Sequence, residues 1–120
     1  MRKESNYNNS VIYVLESMDG LHQYIGGSSN YLARRYHHWY RYSNPVSDKH
    51  KYQIYEVIRA YGGWDNFRFR ILRRVNCETV EELRAIEGIY INLLSPSMNS
   101  YGVGIKRRDI LNRAKIANGY

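Results

Sequence analysis

Two apolar segments on either side of an Asp19-Gly20 turn constrain this 120-residue chain more than any other feature. Residues 11–17 are rich in apolar and β-branched side chains, which is typical of a strand. The Asp-Gly dipeptide favours a tight turn, and residues 23–28 can return as a second strand, so the sequence predicts a β-hairpin. If the loop holds an even number of residues, Tyr13 and Tyr24 share one face of the sheet, because directly opposed residues do.

A helix is predicted to follow at once, over residues 31–42. Its N-cap is one of three polar residues: Ser28, Ser29 or Asn30. Apolar residues at i, i+4 and i+7 predict the stripe that faces the core: Leu32, Tyr36 and Trp39. Arg34 and His38 are four residues apart, so one helical turn stacks them at the edge of that stripe. Gly26-Gly27 leaves the end of the preceding strand bare, which permits close approach of a ligand or a helix.

The remaining chain up to residue 99 predicts a helix, a strand and a further helix. The second helix covers residues 52–61 and ends at Gly62-Gly63, with four side chains directed inward: Ile54, Val57, Ile58 and Tyr61. The strand covers residues 66–75, and one of its faces is expected to carry Phe67, Phe69, Ile71 and Arg73. Thr79 and Glu82 form a capping box for the third helix. Its inward side chains are expected to be Leu83, Ile86, Tyr90 and Leu94.

These elements predict an α/β domain, a small, mainly antiparallel three-stranded sheet flanked by helices. The domain is expected to cover residues 10–99, between a flexible N-terminus (1–9) and a basic C-terminal tail (100–120). A hydrophobic content of 43% is enough for one core, and no run approaches the roughly 20 apolar residues of a membrane helix. A single cysteine, Cys77, and the lack of a signal-peptide pattern favour a cytoplasmic, reducing compartment.

Positive charge is concentrated in the middle of the chain. Residues 31–74 hold ten Lys/Arg and three Asp/Glu, a local excess of seven positive charges. The same segment holds seven of the thirteen tyrosines and both tryptophans. Cations interleaved with aromatic rings suit phosphate contacts and base packing, so a nucleic-acid partner is predicted. The cysteine and histidine spacing offers no zinc site, and no Gly-rich phosphate loop is present.

Several short motifs occur in the order of one known family. Val11-Ile12-Tyr13 and Tyr24-Ile25-Gly26 resemble the two signature strings of GIY-YIG nucleases, with Val11 in place of the first glycine. The helix arginine and histidine of that family fall on Arg34 and His38. The segment of residues 87–91, which begins with Glu87, is similar to the family's metal-binding segment, and its trailing asparagine falls on Asn99. The resemblance covers most of residues 10–99.

The resemblance implies an endonuclease that hydrolyses DNA phosphodiesters with one Mg²⁺ or Mn²⁺ ion, acting as a monomeric catalytic unit like the catalytic domain of homing endonucleases. It implies that Tyr13 activates or positions water, that Tyr24 orients water or phosphate, and that His38 accepts or relays a proton. Glu87 would hold the metal, Arg34 would meet the phosphate, and Asn99 would buttress the site. A tyrosine pKa near ~10 makes Tyr13 a poor base unless nearby cations favour phenolate.

Each site residue also has an ordinary structural interpretation. Tyr13 and Tyr24 suit the core, Glu87 suits the surface, and Asn99 suits a turn. Two neighbours compete with predicted site residues, Arg35 with Arg34 and His37 with His38. Three other acids sit where they favour the helix dipole and need no function: Glu78, Glu81 and Glu82. Two further residues are lesser candidates for supporting contacts: Tyr42 and His50.

The cations expected to contact DNA are Arg35, Arg41, Lys49, Lys51, Lys106, Arg107 and Arg108. Two other function classes compete with a nuclease. The first is a nucleic-acid-binding module without catalysis on a nuclease-derived fold, which the replacement of the first signature glycine by Val11 favours. The second is a structural or partner-binding domain whose charge is incidental.

Overall fold

A computed structural model describes residues 7–99. Three strands form one antiparallel sheet in the order β2-β1-β3: β1 (Ser10–Ser17), β2 (Gln23–Ser28) and β3 (Phe67–Val75). Three helices accompany the sheet: α1 (Tyr31–Ser43), α2 (Gln53–Ala60) and α3 (Val80–Leu94). The predicted α/β class with a small antiparallel sheet is confirmed. No helix within residues 7–99 is both long and apolar enough to cross a membrane.

The register of the hairpin places the two signature tyrosines on one face. Tyr13 opposes Gly26 and Leu15 opposes Tyr24 across β1 and β2, so the predicted shared face is confirmed. The last opposed pair, Glu16 and Gln23, encloses an even number of residues. Because β1 lies between β2 and β3, all of its residues are buried.

An irregularity in β3 changes the predicted alternation of its side chains. Tyr13 of β1 opposes Ile71, whereas the preceding residue, Ile12, opposes Arg73, so Leu72 is an extra residue in β3. Such a bulge shifts the alternation by one position. The prediction that Arg73 shares a face with Ile71 is therefore wrong.

The sheet has a packed apolar cluster on each side. The α2 cluster consists of Leu15, Ile54, Tyr55, Val57, Ile58, Phe67 and Met98. The α3 cluster consists of Ile12, Val14, Ile25, Val75, Cys77 and Leu83. Four predicted inward side chains are less buried than expected: Tyr61, Ile86 and Tyr90 are half-buried, and Leu94, at the end of α3, is 50% exposed. Tyr55, which the sequence pattern left out of the inward set, is only 1% exposed.

Helix α1 turns a different face toward the sheet from the one predicted, so the prediction of its core stripe is wrong. Of the three candidate caps, Asn30 is the one that caps it, with Oδ1 accepting from the Ala33 N–H at 3.1 Å. The expected core residues are instead exposed: Leu32 (74%), Tyr36 (59%) and Trp39 (45%). The buried residue of α1 is His38, which hydrogen-bonds a tyrosine of the central strand. This polar contact fixes the rotation of the helix and leaves the apolar stripe beside an open groove.

The ends of the chain are only partly described. Of the predicted flexible segment 1–9, Tyr7 packs against the α3 cluster, and its carbonyl accepts from the Cys77 N–H at 2.9 Å and from Ser10 Oγ at 2.8 Å. The predicted basic tail, residues 100–120, lies outside the described residues.

Gly26 and Gly88 provide a matched test of this packing. A Cβ at Gly26 would collide with the ring and hydroxyl of Tyr13, whereas a Cβ at Gly88, inside α3, meets nothing within 4 Å. Gly26→Ala is therefore expected to destabilise the fold by about 1–3 kcal/mol, as overpacking does. Gly88→Ala is expected to stabilise it by about 0.5–1 kcal/mol, since alanine favours a helix. Urea unfolding measures both, and equal stability of the two variants would contradict the contact between Gly26 and Tyr13.

Candidate active site

A chain of three buried polar groups connects β1, α1 and α2. The Tyr13 hydroxyl lies 2.7 Å from His38 Nε2, and His38 Nδ1 lies 2.9 Å from the Tyr55 hydroxyl. Tyr13 is 0% exposed and His38 is 2% exposed. Each ring nitrogen of His38 therefore has a tyrosine hydroxyl as its partner.

Burial keeps the imidazole of His38 neutral. It lowers the pKa of His38 from 6.5 to about 3, with smaller contributions from the positive charges of Arg34 and Arg41. A neutral imidazole has one N–H donor and one acceptor nitrogen. In the tautomer with the proton on Nδ1, Tyr13 donates to Nε2 and Nδ1 donates to Tyr55; the other tautomer reverses both bonds.

Tyr13 is a phenol in this environment. Burial raises its pKa well above the usual value, and the nearby Tyr24 raises it further, while Arg34 lowers it. Burial outweighs the cation, because an ion loses more solvation energy in a dry interior than one partly solvated charge returns. The condition under which Tyr13 would be a good base, a phenolate favoured by nearby cations, is therefore not met by the protein groups, and His38, being neutral, adds no positive charge.

The predicted site residues Tyr24, His38, Glu87 and Asn99 line one cavity of about 480 Å³. The ring of Tyr24 lies 5.5 Å from that of His38 and 6.4 Å from that of Tyr13, between centroids. Burial raises the pKa of Tyr24, and the carboxylate of Glu87 raises it further. The structure thus brings together residues from β1, β2, α1, α3 and the segment after α3.

Glu87 is held against the end of β2. Its Oε2 accepts from the Gly27 N–H at 2.6 Å and from Arg84 Nη1 at 3.1 Å. A Cβ at Gly27 would lie 3.2 Å from Leu83 and 3.4 Å from Glu87 Oε2, tight contacts that the glycine avoids. The expectation that the bare end of β2 admits a close neighbour is met by helix α3.

Asn99 forms two hydrogen bonds with the edge of β2 that faces away from β1. Its Oδ1 accepts from the Ile25 N–H at 2.8 Å and its Nδ2 donates to the Ile25 carbonyl at 2.8 Å. Asn99 is 5% exposed, so both bonds are shielded from water. The residue positions the strand that carries Tyr24 and offers the cavity little free hydrogen-bonding capacity.

Arg34 lies on a different, neighbouring pocket of about 180 Å³, which it lines together with Gly27, His37 and Arg84. Its charge nevertheless lowers the pKa of Tyr13 and of Tyr24. Its competitor Arg35 lies instead over two aromatic rings, 5.7 Å from the centroid of Tyr31 and 5.3 Å from that of Phe69.

Of the two adjacent histidines, His38 is the one that contacts Tyr13. His37 is exposed and lies on the pocket of Arg34. The structure therefore places His38, and not its competitor His37, beside Tyr13.

Three residues at the site were not predicted from the sequence. Arg84 pairs with Glu87 one helical turn later, a spacing of i and i+3 that could have identified it. Tyr55 follows Ile54 on α2, and only the folded chain places its hydroxyl beside His38. Gln53 lines the cavity, and its Nε2 and Oε1 are buried without a hydrogen-bond partner among the described residues, so it can serve a ligand there.

Tyr42 and His50, the lesser candidates, lie away from the cavity. The Tyr42 hydroxyl accepts from the Trp64 N–H at 3.2 Å, and His50 Nδ1 lies 2.9 Å from the Arg41 carbonyl. They hold the end of α1 and the loop after it.

Of the predicted DNA-contacting cations, Arg41 lines the main cavity. Arg41 also lines a shallow pocket with Lys49, and Lys51 is exposed. Lys106, Arg107 and Arg108 lie outside the described residues.

The chemistry of Glu87 fits a single magnesium ion. Its Oε1 carries no hydrogen bond from the described residues, whereas Oε2 is engaged. Mg²⁺ binds through one or two carboxylates and keeps several waters or phosphate oxygens. Residues 7–99 contain no group of three or more His, Cys, Asp or Glu side chains that could enclose an ion. Any ion held by Glu87 would therefore be coordinated largely by water and substrate.

Scans of the chain against protein-family models, curated proteins and solved structures yield no match. The chemistry of the site is accordingly deduced from its own geometry. Neutral His38 with two protonated tyrosines can relay protons, and Glu87 with Arg34 and Arg84 can hold a cation and a phosphate near them.

Acid is expected to destabilise the protein through His38. Because its pKa is about 3 in the folded chain and 6.5 unfolded, the stability it supports is present above pH 6.5 and declines as the pH falls toward 3. Between pH 7 and pH 5 the expected loss is about 2 kcal/mol. Urea unfolding should show this loss in wild type and in His37→Gln, but not in His38→Gln.

The wild-type protein offers an independent check if His38→Gln fails to fold. The ring resonances of His38 should keep their neutral-form NMR shifts down to pH 5. Titration of that ring near pH 6.5 would contradict the burial argument.

Proposed function

We propose that the protein is a metal-dependent DNA endonuclease with a GIY-YIG-type site. The observation that carries the proposal is the buried hydrogen bond between Tyr13 and His38 beside the cavity that Glu87 lines. A tyrosine–histidine pair next to a carboxylate and two arginines suits hydrolysis of a phosphodiester. That reaction needs an activated water, neutralised negative charge and a stabilised leaving oxygen.

The proton path runs through Tyr13 to His38. Because Tyr13 is protonated, a water can give its proton to the phenol oxygen while the phenol proton passes to His38 Nε2. The resulting hydroxide attacks phosphorus. His38 Nε2 holds the proton only transiently, because a pKa of about 3 makes the imidazole a weak base, and the proton can then protonate the leaving oxygen.

Access to Tyr13 requires a small movement. The side chain is completely buried, with the rings of Tyr24 and Tyr31 at centroid distances of 6.4 and 5.7 Å. Tyr31 is only half-buried, so its displacement by docked DNA opens the phenol at low cost.

The negative charge of the phosphate would be neutralised by two sets of groups, arginines and a divalent ion. Arg34 and Arg84 line one pocket with the backbone of Gly27, and guanidinium groups bind phosphate oxygens through two parallel donors. Glu87 would hold a divalent ion, which would supply Lewis-acid stabilisation of the phosphate. Arg84, already 3.1 Å from Glu87, can exchange its carboxylate partner for the phosphate.

The partner is DNA, contacted through the basic surface by a monomeric catalytic unit inside the cell. Binding by such a surface depends on counterion release and carries little sequence information. Weak sequence specificity and strong salt dependence are therefore expected.

One observation favours a second candidate, a nucleic-acid-binding module without catalysis. Arg84 Nη1 lies 3.1 Å from Glu87 Oε2, so the carboxylate already has a positive charge beside it that would repel a divalent ion. If Arg84 retains this position on DNA, the domain binds and does not cut.

Cleavage of supercoiled plasmid with Mg²⁺ or Mn²⁺ tests the nuclease proposal. Glu87→Gln keeps the shape and removes the charge, so nicking should fall by about 100-fold. Tyr13→Phe removes the proton path, so nicking should fall by about 100-fold or more. Glu81→Gln, an exposed acid in the first turn of α3, is the control and should nick like wild type.

EDTA should abolish nicking by wild type. Equal nicking by wild type and Glu87→Gln would refute the metal site. Binding without nicking of any substrate, branched DNA included, would establish the binding module instead.

Salt dependence of DNA binding tests the basic surface. Lys51→Ala should weaken binding uniformly across sequences and lower the slope of log affinity against log salt by about 1. Lys51→Arg, which keeps the charge, should leave the slope unchanged. A slope that is the same in all three proteins would exclude Lys51 from the DNA contact.

A further inference from the structure

An open aromatic groove runs between α1 and β3, on the side of α1 away from the pocket of Arg34. Its volume is about 660 Å³. The wall on α1 consists of Leu32, Arg35, Tyr36 and Trp39, and the opposite wall and floor include Leu15, Trp64, Phe67 and Phe69. The groove exists because α1 turns His38, and not its apolar stripe, toward the sheet.

The α1 wall of the groove is more exposed than a packed core permits. Leu32, Tyr36 and Trp39 have exposures of 74%, 59% and 45%, and they lie along one stripe of α1. The rings of Tyr36 and Trp39 are 6.1 Å apart between centroids and inclined by 37°, so they form a nearly continuous surface. Contiguous exposed apolar surface of this kind marks a site of interaction.

The charges around the groove are positive. Arg35 lies at its edge, with its guanidinium carbon 5.3 Å from the centroid of Phe69. Arg68 is the other charged lining residue, and it reaches Glu16 through Nε at 3.0 Å while remaining half-exposed. Within residues 7–99, no carboxylate lines the groove. An anionic ligand with flat apolar rings matches both properties.

We propose that this groove binds an unpaired nucleobase, stacked on Trp39 and Tyr36, with the adjoining phosphate on Arg35. The proposal rests on the proposed nucleic-acid partner and adds its class, DNA with single-stranded or branched character. Aromatic rings stack on any base, and arginine meets the backbone, so the site distinguishes unpaired from paired DNA without reading sequence. In a duplex the base faces are already stacked and unavailable.

Phe69 connects the groove to the candidate active site. Its ring lies 6.0 Å from Tyr13 and 5.8 Å from His38 on one side, and 5.9 Å from Trp64 on the other, between centroids. A base in the groove therefore lies one aromatic layer from the proton relay. Phosphates next to that base can reach the other edge of α1, where Arg34 lies one turn before His38.

Fluorescence anisotropy with a labelled single-stranded oligothymidine and a length-matched duplex tests the proposal on the full chain. Trp39→Ala should weaken binding of the single strand by about tenfold or more and that of the duplex by less than twofold. Trp39→Phe keeps a ring and should restore most of the affinity. Leu93→Ala, at a 74% exposed position of α3, is the matched control and should bind like wild type.

Two results would overturn the proposal. The first is equal loss of single-strand and duplex binding in Trp39→Ala, or no loss of either. The second is a wild-type dimer in sedimentation that Trp39→Ala converts to monomer, which would assign the groove to a second copy of the chain.

The plasmid assay separates this proposal from the nuclease itself. Selective single-strand binding without nicking would retain the groove and reject the endonuclease. Nicking without any preference for single-stranded DNA would retain the endonuclease and reject the groove as a base-binding site.

Discussion

The hydrogen bond between Tyr13 and His38 is the contact on which the arrangement around the site depends. Tyr13 belongs to the central strand, and His38 is the buried residue of α1, so the 2.7 Å bond attaches that helix to the sheet. It also fixes the rotation of α1. With His38 turned inward, Arg34 lies beside the pocket of Gly27, and the apolar stripe of α1 lies along the groove.

Two separate close contacts explain why two glycines stand at the end of β2. The Tyr13 ring lies over Gly26, where a Cβ would collide with it, and α3 approaches Gly27 closely enough for Glu87 to reach its N–H at 2.6 Å. Gly26 is therefore a packing requirement of the tyrosine opposite it. Val11 opposes Ser28, two residue pairs away from that contact.

Burial determines the protonation state of the site more than its cations do. Arg34 lowers the pKa of Tyr13, yet burial keeps Tyr13 a phenol, and burial and positive charge together keep His38 neutral. Because both groups are neutral before substrate binds, the site suits a concerted proton relay rather than a Tyr13 that is already a phenolate. The same burial makes the fold sensitive to acid, because at pH 5 the unfolded chain binds a proton on His38 and the folded chain does not.

The sequence by itself determined the hairpin, the shared face of Tyr13 and Tyr24 for an even loop, a choice of three caps for α1, and the spacing that puts Arg34 and His38 one turn apart. These follow from local patterns of alternation, turn residues and helical period. It did not determine which stripe of α1 faces the sheet, because Leu32, Tyr36 and Trp39 suit a core as well as His38 does, and hydropathy ranks them higher. Only the tertiary structure decided that, through one long-range hydrogen bond. The role of Tyr55 depends in the same way on a contact between elements distant in sequence.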